Sequence, residues 1–414
     1  MRMRTAAIRT IRGMSIVRVM STTTMPTTLT TRSRSFLLRA RRKARKRRAY
    51  RFDSYNDGFL PVSAIDGENN SALYTPESPA DETAEIAKAE RGHFSSIYDD
   101  PDLFDDLFYE MLKKRKGVAW KPQVRGFCAN GAKAIYDLAT TPYAPSHASQ
   151  LPIYYPKRRT VQAIPFKDRI IQGYLNDRYI YPTMTRSFIY GNMASQTGKG
   201  TDKARDLLKT YLWNYYTHHG AEGYVLQIDI HQYYQSIPKD KALELFRRKL
   251  PPAVFEHVER IINIQCGNSF FAGSQLVQLL GISYLDGIDH YIKEALGIRY
   301  YIRYQDDFLL IHNDRAVLQN AQTAIEEKLA GLGLVLNYEK TQIRDLRKPV
   351  LFLGFLYSLQ NDGKIYMRPN PKRLKEIRRR IRKFPPCWKS YVDYLSKGGC
   401  SHRLIKRLYK EAVA

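Results

Sequence analysis

Apolar positions along this chain fall into two distinct periods. Between residues 102 and 116, Leu103, Leu107 and Met111 recur every four positions, with Leu112 beside Met111, ahead of the basic run Lys113-Lys114-Arg115-Lys116. That spacing predicts an amphipathic helix with one buried side. Further on, Gly223-Tyr224-Val225-Leu226-Gln227-Ile228 is a short β-rich run that ends on Asp229 and passes into Ile230-His231-Gln232-Tyr233-Tyr234 and Ser236-Ile237-Pro238. It predicts a strand with a carboxylate at its mouth. From Arg299 to Ile311 two β-rich runs flank Asp306-Asp307, which predicts a hairpin with both acids at its turn. Near the C-terminus, Leu374, Ile377 and Ile381 share one side of a helix from Arg373 to Lys383, and the other side is almost wholly basic.

Residues 1–48 and 49–92 show neither period. The first is rich in Thr, Ser and Arg and predicts a disordered tail. The second, with Asp66-Gly67-Glu68-Asn69-Asn70-Ser71, reads as a linker or loose extension, so folding is expected to begin near Ser95. The rest is long enough, and at 43% apolar residues over the whole chain rich enough, for two or three subdomains.

Charge narrows the partner. The chain holds 67 Lys and Arg against 40 Asp and Glu, a net +27, and a field of that sign and size points to a polyanion, nucleic acid first. Fifteen of the cations lie in residues 1–48, with no acid among them, ending in Arg41-Arg42-Lys43-Ala44-Arg45-Lys46-Arg47-Arg48. Three readings of that arm stand: a phosphate-binding tail, a start assigned too early with Met14, Met20 or Met25 as later starts, or a targeting signal. Cys128, Cys266, Cys387 and Cys400 have no metal-ligand spacing and the histidines form no spaced set. With no apolar run long enough to cross a bilayer, the expectation is a soluble, reduced, cytoplasmic protein without membrane partners.

The acids carry the chemistry. Asp229 alone is as readily a cap for the next helix as a functional group. Asp306 and Asp307 in one tight turn repel each other, and the arrangement makes physical sense around divalent cations. With Asp229 alongside, hard oxygen ligands suit two Mg²⁺ ions that activate a primer 3′-oxygen and the leaving pyrophosphate.

Here the sequence resembles a family. Tyr304-Gln305-Asp306-Asp307 resembles the Tyr-x-Asp-Asp box of reverse transcriptases, and Asp229-Ile230-His231-Gln232-Tyr233-Tyr234 their first palm motif. Downstream, Gly333-Leu334-Val335-Leu336-Asn337-Tyr338-Glu339-Lys340-Thr341 and Phe352-Leu353-Gly354-Phe355 follow in the family's order, the latter as its primer grip. Upstream, the stretch from Tyr155 to Gln172 is similar to the family's fingers. Its basic residues, read as lying on paired strands, would aim Lys157, Arg159 and Arg169 at a triphosphate.

The resemblance implies an α+β right-hand fold. Residues 49–116 form an N-terminal extension, 117–222 the fingers, 223–365 a palm with a split βαβ, ferredoxin-like sheet, and 366–414 a short helical thumb whose Arg378, Arg379 and Arg382 lie along duplex phosphates. It implies RNA-directed DNA synthesis from an RNA template, a DNA or RNA primer and dNTPs, with a basic accessory protein as a further partner. Asp229 and Asp306 bind two Mg²⁺, which Mn²⁺ can replace, while Asp307 supports them, the Ile230 carbonyl adds an oxygen, and Lys340 protonates pyrophosphate. Tyr234 packs under the incoming sugar. About sixty residues follow the primer-grip box, which reads as a polymerase without a nuclease domain.

One departure is informative. Where the family has Gln-Gly, this chain has Ala272-Gly273, followed by Gln278 where most relatives carry Pro. The residue beside the nascent pair therefore lacks its amide, while Gly273 still permits close backbone approach. Diversity-generating retroelement polymerases resemble this, although Val277 stands where they have Ser. Three readings follow: low-fidelity copying in such a retroelement, untemplated or protein-primed synthesis in phage defence, and an RNA-binding scaffold without activity.

Overall fold

The computed structural model describes residues 96–154, 158–397 and 399–413, all within one compact unit, Glu82–Ala414. The predicted tail, most of the predicted extension and Lys157 lie outside the described residues. The first predicted helix forms over Leu103–Lys114. Leu103, Leu107 and Met111 are buried, but Leu112 is 39% exposed. Placing it on the buried side was wrong: one residue beyond Met111 turns about 100° around the helix, off the apolar stripe.

Strands β1 (Ser149–Ile153) and β2 (Arg159–Ala163) pair antiparallel, from Ser149↔Ala163 to Ile153↔Arg159. The expectation of paired strands for the whole basic stretch fails beyond Ala163. A helix runs from Phe166 to Leu175 after Pro165, so Arg159 is on a strand but Arg169 is on a helix. Phe166, Ile170, Ile171, Tyr174 and Leu175 repeat at helical spacing, and all five are buried.

The central sheet holds β3 (Tyr224–Ile228), β4 (Tyr300–Tyr304), β5 (Asp307–His312) and β6 (Gln342–Asp345). Its spatial order is β4-β5-β3-β6 with every neighbouring pair antiparallel. Strands β3 and β4 are therefore parallel with β5 between them, joined by the helical segment 233–295, while the helix Arg315–Gly331 joins β5 to β6 and packs on β3 and β5. Alternate residues feed two cores. Leu226, Ile228, Phe308 and Leu310 join the helices of one face. Val225, Leu309 and Ile311 join the helix Thr201–His219 and a second sheet on the other.

That second sheet is β7 (Val350–Phe352), β8 (Phe355–Leu359) and β9 (Ile365–Pro369) in order. The chain then forms helices Pro371–Lys383, Trp388–Lys397 and His402–Val413, closed around Ile377, Ile381, Tyr391, Leu395, Ile405 and Leu408. Among the described residues no helix is long and apolar enough to cross a membrane.

Candidate active site

The register of the central sheet brings the acids together. The β3–β5 pairing ends at Ile228↔Phe308, so the next step of the ladder sets Asp229 against Asp307 at the mouth of the β4–β5 hairpin. Tyr304↔Asp307 closes that hairpin, leaving Gln305 and Asp306 as its two turn residues, so the expectation of both acids at the turn holds for Asp306 only: Asp307 opens strand β5, because its backbone pairs with Tyr304. Gln305 has φ +58°, a left-handed conformation that a non-glycine residue adopts only where its surroundings hold it.

Asp229 is fixed from several sides. Its Oδ2 accepts hydrogen bonds from Lys340 Nζ at 2.7 Å and from Asn337 Nδ2 at 2.9 Å. Its backbone carbonyl accepts from Asn337 N at 2.8 Å, and His231 N donates to Val335 O at 2.9 Å. Those two bonds form the bridge between Ile230 and Leu336 and leave the Ile230 carbonyl outside it. Burial foremost, together with the negative charge of Asp229, pushes the Asp306 carboxyl above the usual carboxylate range, while Lys340 and Arg303 act against this. The hydrogen bond to Asp229 in turn raises the Lys340 ammonium.

Among the described residues no group of three or more His, Cys, Asp or Glu side chains forms a metal cage. The donor set fits Mg²⁺ all the same. That ion is held by one or two carboxylates plus substrate phosphates, with water completing its shell, and does not need a cage of protein ligands. A carboxylate pair whose mutual repulsion raises Asp306 is the electrostatic setting a divalent cation relieves.

The other predicted residues distribute as follows. Tyr234 is half-buried, its hydroxyl donating to Gln305 Oε1 at 2.9 Å. Gly273 has φ +149°, and a Cβ there would lie 2.1 Å from Gln162 O, while Gln162 N donates to Ala272 O at 2.9 Å. The close approach expected of Gly273 is thus to the chain's own strand β2. Gln278 is exposed and lines a polar cavity of about 490 Å³ with Tyr181, Ser195, Thr197 and Gln275. Arg159 is exposed and Arg169 half-buried, and neither is hydrogen-bonded to Asp229 or Asp306.

Leu353 and Gly354 are the two turn residues between Phe352 and Phe355. Both have positive φ, +47° and +84°, as a type I′ hairpin turn requires. Gly354 O accepts from Tyr394 Oη at 3.2 Å, and the Arg205 guanidinium stands 4.5 Å over the Phe355 ring. Phe352 is buried. On the helix Pro371–Lys383, Arg379 and Arg382 are exposed and Arg378 is half-buried.

Two contributions escaped the sequence. Asn337, three residues before Lys340, was part of a quoted motif without a role, and that fixed offset was the available signal. Gln305 was only the variable position of its box, and nothing local marks its partners.

A family model described as reverse transcriptase (RNA-dependent DNA polymerase) matches residues 155–357. No curated protein matches the chain. Among solved structures, the telomerase from Candida albicans in complex with a TWJ fragment of telomeric RNA is similar over 57% of this chain and 49% of that one, about half its length, at 12% identity and a TM-score of 0.43. By the family match, residues 155–357 of this mixed α and β chain are similar to a reverse transcriptase domain.

Proposed function

We propose that this chain is an RNA-directed DNA polymerase that extends a DNA or RNA primer on an RNA template. The observation that carries this reading is the convergence of Asp229 and Asp306 at the end of the β3–β5 ladder, inside the segment that matches the reverse transcriptase model. The sheet order β6-β3-β5-β4 supports reading residues 223–365 as a palm with a split βαβ sheet. Residues 117–222 serve as fingers and 366–414 as thumb.

Asp229 and Asp306 would hold two Mg²⁺, or Mn²⁺, with Asp307 in support and the Ile230 carbonyl as a further oxygen. The bound metal would supply Lewis-acid activation of the primer 3′-oxygen and neutralise charge on pyrophosphate. This chain's own groups do the rest. Asn337 and Lys340 orient the Asp229 carboxylate. Lys340, more than half exposed, delivers a proton to the departing pyrophosphate. Tyr234 lies under the incoming sugar and collides with a 2′-hydroxyl. Arg159 and Arg169 meet the triphosphate, with Lys157 behind them. Leu353-Gly354 steady the primer end, and Arg378, Arg379 and Arg382 follow duplex phosphates.

Ala272 leaves the nascent pair without an amide contact, which favours low-fidelity copying of the diversity-generating retroelement kind. Val277, buried where those relatives carry Ser, favours the phage-defence reading as the second choice. The test is primer extension by the purified chain on RNA with dNTPs and Mg²⁺. Extension that a chelator abolishes is expected. Extension on DNA but never on RNA would contradict the reading.

A further inference from the structure

We propose that Gln305 is a positioning residue: its side-chain amide latches Tyr234 in place and so sets the preference of the site for deoxyribonucleotides over ribonucleotides. This rests on the polymerase reading above. Both ends of the amide are used. Oε1 accepts from Tyr234 Oη at 2.9 Å, and Nε2 donates to Ser195 Oγ at 2.9 Å. Tyr234 Oη and Ser195 Oγ can each donate or accept, so both ends of the amide stay bonded in either orientation.

The frame around this latch is rigid. Ser195 and Gln305 are both left-handed, at φ +52° and +58°, and both are referenced to Arg303, which is fully buried in β4. The Arg303 backbone accepts from Met193 N and donates to Gly191 O, each at 2.9 Å, which fixes the segment leading to Ser195. Its guanidinium donates to Gln305 O at 2.9 Å, to Ile282 O at 2.9 Å and to Asp289 Oδ1 at 2.6 Å. Asp289, itself fully buried, also accepts from Tyr301 Oη at 2.6 Å. Arg303 thus holds the carbonyl of Gln305 through its guanidinium and the segment leading to Ser195 through its backbone.

On its other side Tyr234 has no room to retreat. Its ring lies against Gly281, where a Cβ would come within 2.7 Å of the ring carbon and 2.9 Å of the hydroxyl. A ring backed by a helix and tied at its tip can admit a ribose 2′-hydroxyl only by breaking the bond to Gln305. Cutting that bond removes the cost.

The experiment measures kcat/KM for a deoxynucleotide and its ribonucleotide counterpart on one primed RNA, for wild type, Gln305→Met, Ser195→Ala, Tyr234→Phe and the double variant Tyr234→Phe with Gln305→Met. Gln305→Met is expected to raise the ribonucleotide-to-deoxyribonucleotide ratio about fivefold, the worth of one hydrogen bond. Ser195→Ala should move it in the same direction by releasing the far end of the amide. It carries the test should Gln305→Met fail to fold. The double variant should exceed neither single by more than error, because both cut the same bond. A ratio unmoved in Gln305→Met and Ser195→Ala, with both nucleotides slowed alike, would make Gln305 structural and overturn the proposal. So would multiplying effects in the double variant. A wild-type chain that incorporates neither nucleotide overturns the polymerase reading itself.

Discussion

Asp306 is raised by burial and by Asp229, so its ionised form destabilises the fold. A carboxyl whose folded pKa lies above its unfolded one weakens the protein as pH rises through that range. Asp306→Asn should therefore give a higher Tm than wild type at pH 7 in chelator, with the gap closing toward about pH 4 as wild type takes up the proton. Thermal unfolding at the two pH values checks it, and a less stable variant at pH 7 would contradict the assignment. Ala272 bears on fidelity. Its backbone carbonyl is used by Gln162, a bond that a change of side chain leaves in place, and on the proposed reading Ala272→Gln should lower the error frequency of the complementary DNA several-fold. Coincident error spectra from the two forms would leave Ala272 a packing residue. The positions of Asp229 and Asp306 were legible because a strand end and a hairpin turn are local patterns, while Asp307 proved to open β5. Gln305 was not legible, since its partners lie 71 and 110 residues away.

At the scale of elements, β3, the β4–β5 hairpin and the basic C-terminal helix stand where periodicity put them. The basic stretch after β2 does not. Its alternating polar and apolar residues suited a strand, but after Pro165 the apolar residues fall at helical spacing, and burial of five of them decides the outcome. That shift moves Arg169 from a strand to a helix without removing it from the segment that matches the reverse transcriptase model. Gly273 was read as permitting close backbone approach, and strand β2 makes such an approach through Gln162. Gly273→Ala is expected to cost about 2 kcal/mol or more, by strain at φ +149° and by collision with Gln162 O. Denaturant unfolding would measure it, and a loss under about 0.5 kcal/mol would show that β2 yields easily.

For the whole molecule, the two cores on either face of the central sheet and the separate core of the C-terminal helices were beyond the reach of sequence, because they depend on which strands become neighbours. The net charge of +27 was legible, and it sets an expectation for binding. Replacing Arg379 and Arg382, both exposed, by Ala should lower the slope of log affinity for duplex against log salt by up to about two, roughly 0.9 per phosphate contact. An unchanged slope would remove the C-terminal helix from the nucleic-acid surface. Removing residues 1–48 should flatten the slope further if that arm binds phosphate.

The most direct test of the central claim is single-turnover dNTP incorporation on primed RNA in Mg²⁺ by wild type and Asp306→Asn, with RNA affinity measured on the same preparations. The expected result is incorporation abolished in the variant and affinity nearly intact, because on the proposed reading the substitution removes a metal ligand and no phosphate contact. Incorporation at even a tenth of the wild-type rate would contradict it.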